Sequence, residues 1–190
     1  MNKPLIVARF NHNQQILQCL LHLRNNNYLN MLEMIYQIVL LKPFSANIAK
    51  RFIKSPKLYM TDSGLFCHLL DIRNGDDLLN SRHKGEVIEI FVFSELLKHL
   101  GYSDSQPQFY HYRTTDKKEI DFILEKQDQI IAIEVKSSQS VKGSEFRHIV
   151  ELQKKSKKRV LGIVLYAGEN VMSFGDEEHQ RYAVPLSVFF

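Results

Sequence analysis

Cysteine is nearly absent: two in 190 residues, Cys19 and Cys67, far apart and each set in apolar sequence. That excludes a disulfide framework, and both read as reduced, buried thiols of a cytoplasmic protein. Nor do the histidines at 22, 68, 83, 99, 111, 148 and 179 fall into zinc-type spacing with either cysteine. No apolar run approaches the roughly 20 residues of a membrane span. Arg9 and His12 interrupt the N-terminus where a secretory leader would be uniformly apolar. Internal repeats and low-complexity segments are missing as well. The net charge is small, +4 from 25 basic and 21 acidic residues, which permits a polyanionic partner without requiring one. An ordinary apolar share of 44% excludes wholesale disorder, and the length suits one domain with a small appendage.

What is present is ordered by periodicity. Residues 1–27 carry no clear pattern and stay unassigned. Tyr28, Leu29, Leu32, Ile35 and Tyr36 recur at helical spacing. Gln37–Phe44 and Lys57–Thr61 read as strands flanking the short basic stretch Ile48–Ile53. Helix, strand, basic connection and strand match the last part of a winged helix, placed at 28–75. Asp62-Ser63-Gly64 then caps a short helix through Leu70. The polar run Asn74–Arg82 is the candidate boundary, leaving 76–190 as the main domain. There a helix over Lys84–Leu100 ends at Gly101, and strands follow near Phe109–Arg113, Lys118–Glu125 and Ile130–Ser137. A helix over Ser144–Ser156, a strand over Arg159–Tyr166 and a last hairpin, Val171–Phe174 with Tyr182–Val188, complete the chain. The order from residue 84 is αβββαβ, an α/β class with a mixed central sheet.

Two of those strands carry charge where apolar strands have none. Side chains alternate along a strand, so Glu119 and Asp121 share one face of Glu119–Leu124, and Glu134 and Lys136 share one face of Ile130–Lys136. A symmetric two- or four-residue turn gives cross-strand pairs whose numbers sum to 255, setting Asp121 opposite Glu134 and Glu119 opposite Lys136. Opposed like charges destabilise a strand pair. Two carboxylates so placed call for a proton, a salt bridge or a hard cation such as Mg²⁺. On the Lys84–Leu100 helix, Glu89 projects within roughly 40° of Phe93, Leu96 and Leu100, from the middle of the apolar stripe. A carboxylate aimed inward needs a cation, a proton or a basic partner, for which Arg113 is a candidate. Glu86, about 60° away, is a second carboxylate at the rim.

In order along the chain, Glu89, Asp121, Glu134 and Lys136 resemble the constellation of the PD-(D/E)XK nuclease superfamily, whose shared core is also αβββαβ. Further stretches extend the resemblance, from Tyr28 to the C-terminus: Lys54-Ser55-Pro56-Lys57-Leu58-Tyr59-Met60-Thr61-Asp62-Ser63-Gly64-Leu65, Gly85 with Glu89, Tyr112-Arg113 and Glu119-Ile120-Asp121-Phe122. Together these are similar to the C-terminal region of bacterial AAA-type ATPases, where a winged helix and a nuclease-like domain of unknown function follow the ATPase module. The G-x-x-x-x-G-K-[ST] phosphate loop of such an ATPase is missing here, so the chain reads as a freestanding or truncated C-terminal half that does not hydrolyse ATP.

The resemblance implies a restriction-endonuclease-like fold and Mg²⁺- or Mn²⁺-dependent hydrolysis of DNA. Asp121, Glu134 and Glu89 would be the metal ligands, and Lys136 would orient or activate water. Lys50, Arg51, Lys54, Lys57 and Arg113 are the candidate nucleic-acid contacts. Lys154–Arg159, the densest basic cluster, suits a solvated helix end instead. Ser137-Ser138 closes its strand, with no base beside it for a nucleophile. The competing expectation is a non-catalytic DNA- or protein-binding module, working with a separate ATPase chain or as a homodimer.

Overall fold

The computed structural model describes residues 26–45, 55–114, 116 and 118–189. Three elements come from the first part: α1 (Asn26–Met34), β1 (Ile38–Leu41) and β2 (Lys57–Met60). The α1 helix ends two residues before the expected Tyr36, which takes a left-handed φ of 56°. Gln37 N–H donates to the Leu32 carbonyl and Tyr36 N–H to that of Glu33, so the last turn closes on itself before β1 begins. β1 and β2 form an antiparallel pair running from Ile38 opposite Met60 to Leu41 opposite Lys57. Past β1 the chain reaches across to the main sheet: His111 N–H donates to the Lys42 carbonyl, and Phe44 N–H to that of His111.

Asp62 caps α2 (Ser63–Leu69) as expected, its carboxylate accepting the Leu65 N–H at 2.8 Å. The polar run at 74–82, the candidate boundary, contains a helix of its own, α3 (Gly75–Asn80). Asn74 caps it by accepting the Asp77 N–H, and acidic Asp76 and Asp77 lie in its first turn, where they complement the helix dipole. The long helix α4 (Lys84–Tyr102) runs through Gly101 and stops at Ser103. Gly101 was expected to end it, but nothing forces a left-handed turn there, and the exposed glycine continues the helix.

The sheet is six-stranded and mixed. In chain order its strands are β3 (Gln108–Arg113), β4 (Glu119–Lys126), β5 (Gln129–Lys136), β6 (Arg159–Tyr166), β7 (Met172–Phe174) and β8 (Arg181–Pro185); across the sheet they run β3-β4-β5-β6-β8-β7. β3, β4 and β5 are antiparallel neighbours, β5, β6 and β8 are parallel, and β7 returns antiparallel to β8. A 3₁₀ turn (Gly143–Phe146) leads into α5 (Arg147–Lys155), so the expected single helix is divided in two. The strand expected over Tyr182–Val188 ends at Pro185 and gives way to a 3₁₀ turn. The αβββαβ order of α4, β3, β4, β5, α5 and β6 is as read from the sequence.

Each face of the sheet has a core. On one, α4 buries Val87, Ile90, Val92, Phe93 and Leu96 against Phe122, Ile133 and Leu165, and the same cluster takes in Ile38, Leu41, Leu58, Tyr59 and Met60 of the β1–β2 pair. Removing that much apolar surface from water is the main stabilising term, and it ties the first segment to the sheet. On the other, Phe146, Ile149 and Leu152 of the 3₁₀ turn and α5 cover Ile123, Ala132, Val160 and Val164. Gly162 on β6 permits this approach, since a Cβ there would lie 2.7 Å from Ile149 Cγ2 and 2.9 Å from Arg181 Cγ.

Candidate functional site

The β4–β5 turn is the two-residue kind, with Gln127 at φ 49°, and the paired residues run from Lys126 opposite Gln129 to Phe122 opposite Ile133. Their numbers sum to 255, the register expected. The ladder stops there. At the next position the Asp121 carboxylate accepts the Val135 N–H at 2.8 Å, taking the donor that backbone pairing would otherwise use. Asp121 is thereby fixed at the open end of the two strands, on the side of Glu134.

Two further carboxylates, Glu134 and Glu89, act on it through their charges. Glu134 receives the Lys136 ammonium at 2.8 Å, two residues along the same face of β5. Glu89 on α4 accepts both the Lys57 ammonium at 2.6 Å and the Tyr59 hydroxyl at 2.5 Å, on the same oxygen, Oε1. The packing explains this convergence. Glu89 and Phe93 are four residues apart on one helix face, and the Tyr59 ring stacks on Phe93 at 4.4 Å with a 12° interplanar angle. Lys57 and Tyr59, two apart on β2, point the same way. Stacking therefore delivers the tyrosine hydroxyl, and with it the lysine, to Glu89.

The electrostatics follow from burial. Asp121 is held well above the ordinary carboxylate range by desolvation, then by the Glu89 and Glu134 charges; Lys57 and the Val135 N–H oppose the shift. Glu134 is also raised by burial, with Lys136 pulling the other way. Burial would lower both lysines, but their carboxylate neighbours, chiefly Glu89 for Lys57 and Glu134 for Lys136, leave both above the usual lysine value. The Tyr59 phenol is pushed well up by burial and by Glu89, so it stays a donor.

The other expected contacts fall elsewhere. Glu119 does not face Lys136; it pairs with Arg113 of β3 at 3.0 Å, because the β4–β5 ladder has ended while β3–β4 pairing runs on to Arg113 opposite Glu119. Arg113, a candidate basic partner for Glu89, is the residue in this pair, and Glu89 is instead held by Lys57 and Tyr59. Of the candidate nucleic-acid contacts, Lys50, Arg51 and Lys54 lie outside the described residues, and Lys57 is turned to Glu89. Glu86 lies 4.0 Å from His83 Nδ1, at the start of α4. The basic cluster at 154–159 is structural at Lys158, which holds Glu125 at 3.0 Å and so ties the α5–β6 connection to the hairpin. Ser138 donates to the Ser140 carbonyl, closing the turn after β5.

Tyr59 and the inward role of Lys57 were missed by sequence reasoning. The signal was available: two polar-ended side chains two residues apart in Lys57-Leu58-Tyr59 share a strand face opposite Leu58. Among the described residues, no three His, Cys, Asp or Glu side chains converge closely enough to hold a metal ion by themselves. Asp121 has no ion pair among the described residues, whereas Glu134 Oε1 is held by Lys136 and Glu89 Oε1 by Lys57 and Tyr59. No helix of the described residues is long and apolar enough to cross a membrane.

A mixed sheet with a carboxylate-rich end and a helix on each face defines an α/β domain with a built polar site. The chain belongs to the family described as a domain of unknown function, DUF4143, whose model matches residues 84–189. A second domain of unknown function, DUF8612, matches residues 23–76. Among curated proteins, the uncharacterized proteins Mb2031c of Mycobacterium bovis and Rv2008c of Mycobacterium tuberculosis are each 33% identical over 115 residues, 60% of this chain and 25% of theirs. The chain thus spans about a quarter of those relatives' length. A solved assembly of Thermococcus gammatolerans McrB AAA+ hexamers with bound McrC is similar at a TM-score of 0.40 and 10% identity, over 54% of this chain and 28% of that one.

Proposed function

We propose that residues 76–190 form a restriction-endonuclease-like domain that binds one hard divalent cation, Mg²⁺ or Mn²⁺, and hydrolyses DNA phosphodiesters. Residues 28–75 would be a partial winged helix of the kind found in the C-terminal part of an AAA-type ATPase. The observation that carries this reading is Asp121: a largely buried carboxylate beside Glu134, with a backbone N–H as its hydrogen-bond donor and a proton held more tightly than usual. The donor set fits a hard ion, because Mg²⁺ is commonly bound by one or two carboxylates plus water and substrate phosphate.

In that reaction Asp121 and Glu134 hold the ion, which when bound polarises the phosphodiester and lowers the pKa of water. Val135 N–H fixes the Asp121 carboxylate in place. Lys136 Nζ, beside Glu134, holds the attacking water or neutralises charge developing on the phosphate. Glu89 supports the acidic side of the site from α4. Incubating the purified chain with duplex DNA and Mg²⁺ tests the proposal. Cutting by wild type that is lost in Asp121→Ala and Lys136→Ala, with circular dichroism unchanged, is the expected result; equal cutting by either variant refutes those roles.

The second reading, a non-catalytic binding module, draws on the ion pairs. Lys57 closes on Glu89 and Lys136 on Glu134, leaving Asp121 as the one acidic member without an ion-pair partner among the described residues. Salt-sensitive DNA binding with no turnover in Mg²⁺ or Mn²⁺ would favour it.

A further inference from the structure

The Lys57–Glu89–Tyr59 contact joins two parts of the chain that match different families, at 23–76 and 84–189. Nothing about a sheet hairpin packing on α4 requires an ammonium there. Tyr59 alone stacks on Phe93 and satisfies Glu89 with its hydroxyl. Yet Lys57, with a side chain about one-third exposed, reaches in to share the same carboxylate oxygen and lies 5.1 Å from the centre of the Tyr59 ring. Both donors use Oε1; among the described residues no hydrogen bond reaches Oε2.

From this geometry we infer that Lys57 is a built-in counter-ion of the acidic site, a positioning residue that withholds Glu89 and sets how strongly the site attracts a divalent cation. The inference rests on the cation reading of Asp121 and Glu134. With Lys57 seated, Glu89 is matched by one ammonium and Glu134 by another, that of Lys136, which also lies 3.9 Å from Glu145. Removing Lys57 takes a positive charge from the neighbourhood of Asp121 and leaves Glu89 with the Tyr59 hydroxyl alone. An ammonium and a divalent cation favour the same negative potential, so they compete for it. Because Lys57 belongs to β2, any movement of the β1–β2 hairpin away from α4 would withdraw the counter-ion. The upstream segment is thus placed to adjust the site without contacting substrate.

Calorimetric titration of the full chain with Mn²⁺ tests this, comparing wild type, Lys57→Met, Lys57→Arg, Tyr59→Phe and Asp121→Asn. The expected result is about tenfold tighter binding by Lys57→Met, wild-type affinity in Lys57→Arg, and no binding in Asp121→Asn. Tyr59→Phe keeps the ring stack, removes one donor from Glu89 and is expected to bind two- to threefold tighter; it carries the test if Lys57→Met does not fold. A merely structural lysine predicts the opposite sign, weaker binding in both variants. Unchanged or weaker affinity in Lys57→Met and Tyr59→Phe, with wild-type binding still abolished by Asp121→Asn, overturns the counter-ion role alone. Absence of binding in every chain overturns the cation site and this inference together.

Discussion

Replacing Asp121 by asparagine keeps the side-chain shape and an acceptor for the Val135 N–H, and removes the proton-binding group. In the unfolded chain an aspartate releases its proton near pH 4. In the folded chain burial and the Glu89 and Glu134 charges hold that proton to a pH well above the ordinary range. Between the two midpoints the native state binds more protons than the unfolded state, so stability falls as pH rises through that window and stays reduced above it. The raised midpoint thus withholds stability from the wild type wherever the pH exceeds the unfolded midpoint. Asp121→Asn escapes this loss. The variant is expected to be more stable than wild type at pH 7, with the gap closing as pH falls towards 4. Urea denaturation followed by circular dichroism, at intervals from pH 4 to pH 8 without divalent ions, measures it. A variant less stable than wild type at every pH, or a gap independent of pH, would show that Asp121 does not hold its proton more tightly in the folded chain.

Phe93→Ala removes the ring on which Tyr59 lies and opens space beside Phe109 and Phe122, its other ring neighbours. It is expected to cost about 3–5 kcal/mol of stability in chemical denaturation. Gly162→Val drives a side chain into Ile149 and Arg181, with an expected loss of about 1–3 kcal/mol; adding Ile149→Ala should recover part of it.

Much of this architecture was legible in the chain. Period-two alternation in Ile130–Lys136, taken with a symmetric two- or four-residue turn before it, gives the β4–β5 register found from Lys126 opposite Gln129 to Phe122 opposite Ile133. A three- or five-residue turn would have shifted it by one position and turned Ile131, Ile133 and Val135 to the opposite face. The helical stripe through Phe93 and Leu96 showed that Glu89 points inward. Its partner was not legible. Lys57 and Glu89 are 32 positions apart, and only the stacking of Tyr59 on Phe93 brings them together. Sequence spacing offered Lys57 equally to solvent, to nucleic acid or to a buried acid. The end of the β4–β5 ladder was likewise hidden, since periodicity runs unbroken through Asp121 and gives no sign that its side chain takes the Val135 N–H. Gly101 misled in the other direction: a glycine near a helix end often stops it, but here no buried contact or left-handed turn required a stop.

We propose that Asp121 and Glu134 hold one hard divalent cation. Crystals of the wild-type chain soaked in Mn²⁺ and measured for anomalous scattering test it most directly. A single strong peak is expected within bonding distance of both carboxylates, absent from Glu134→Gln crystals treated in the same way. No peak at Asp121, or one that persists unchanged in Glu134→Gln, would contradict it.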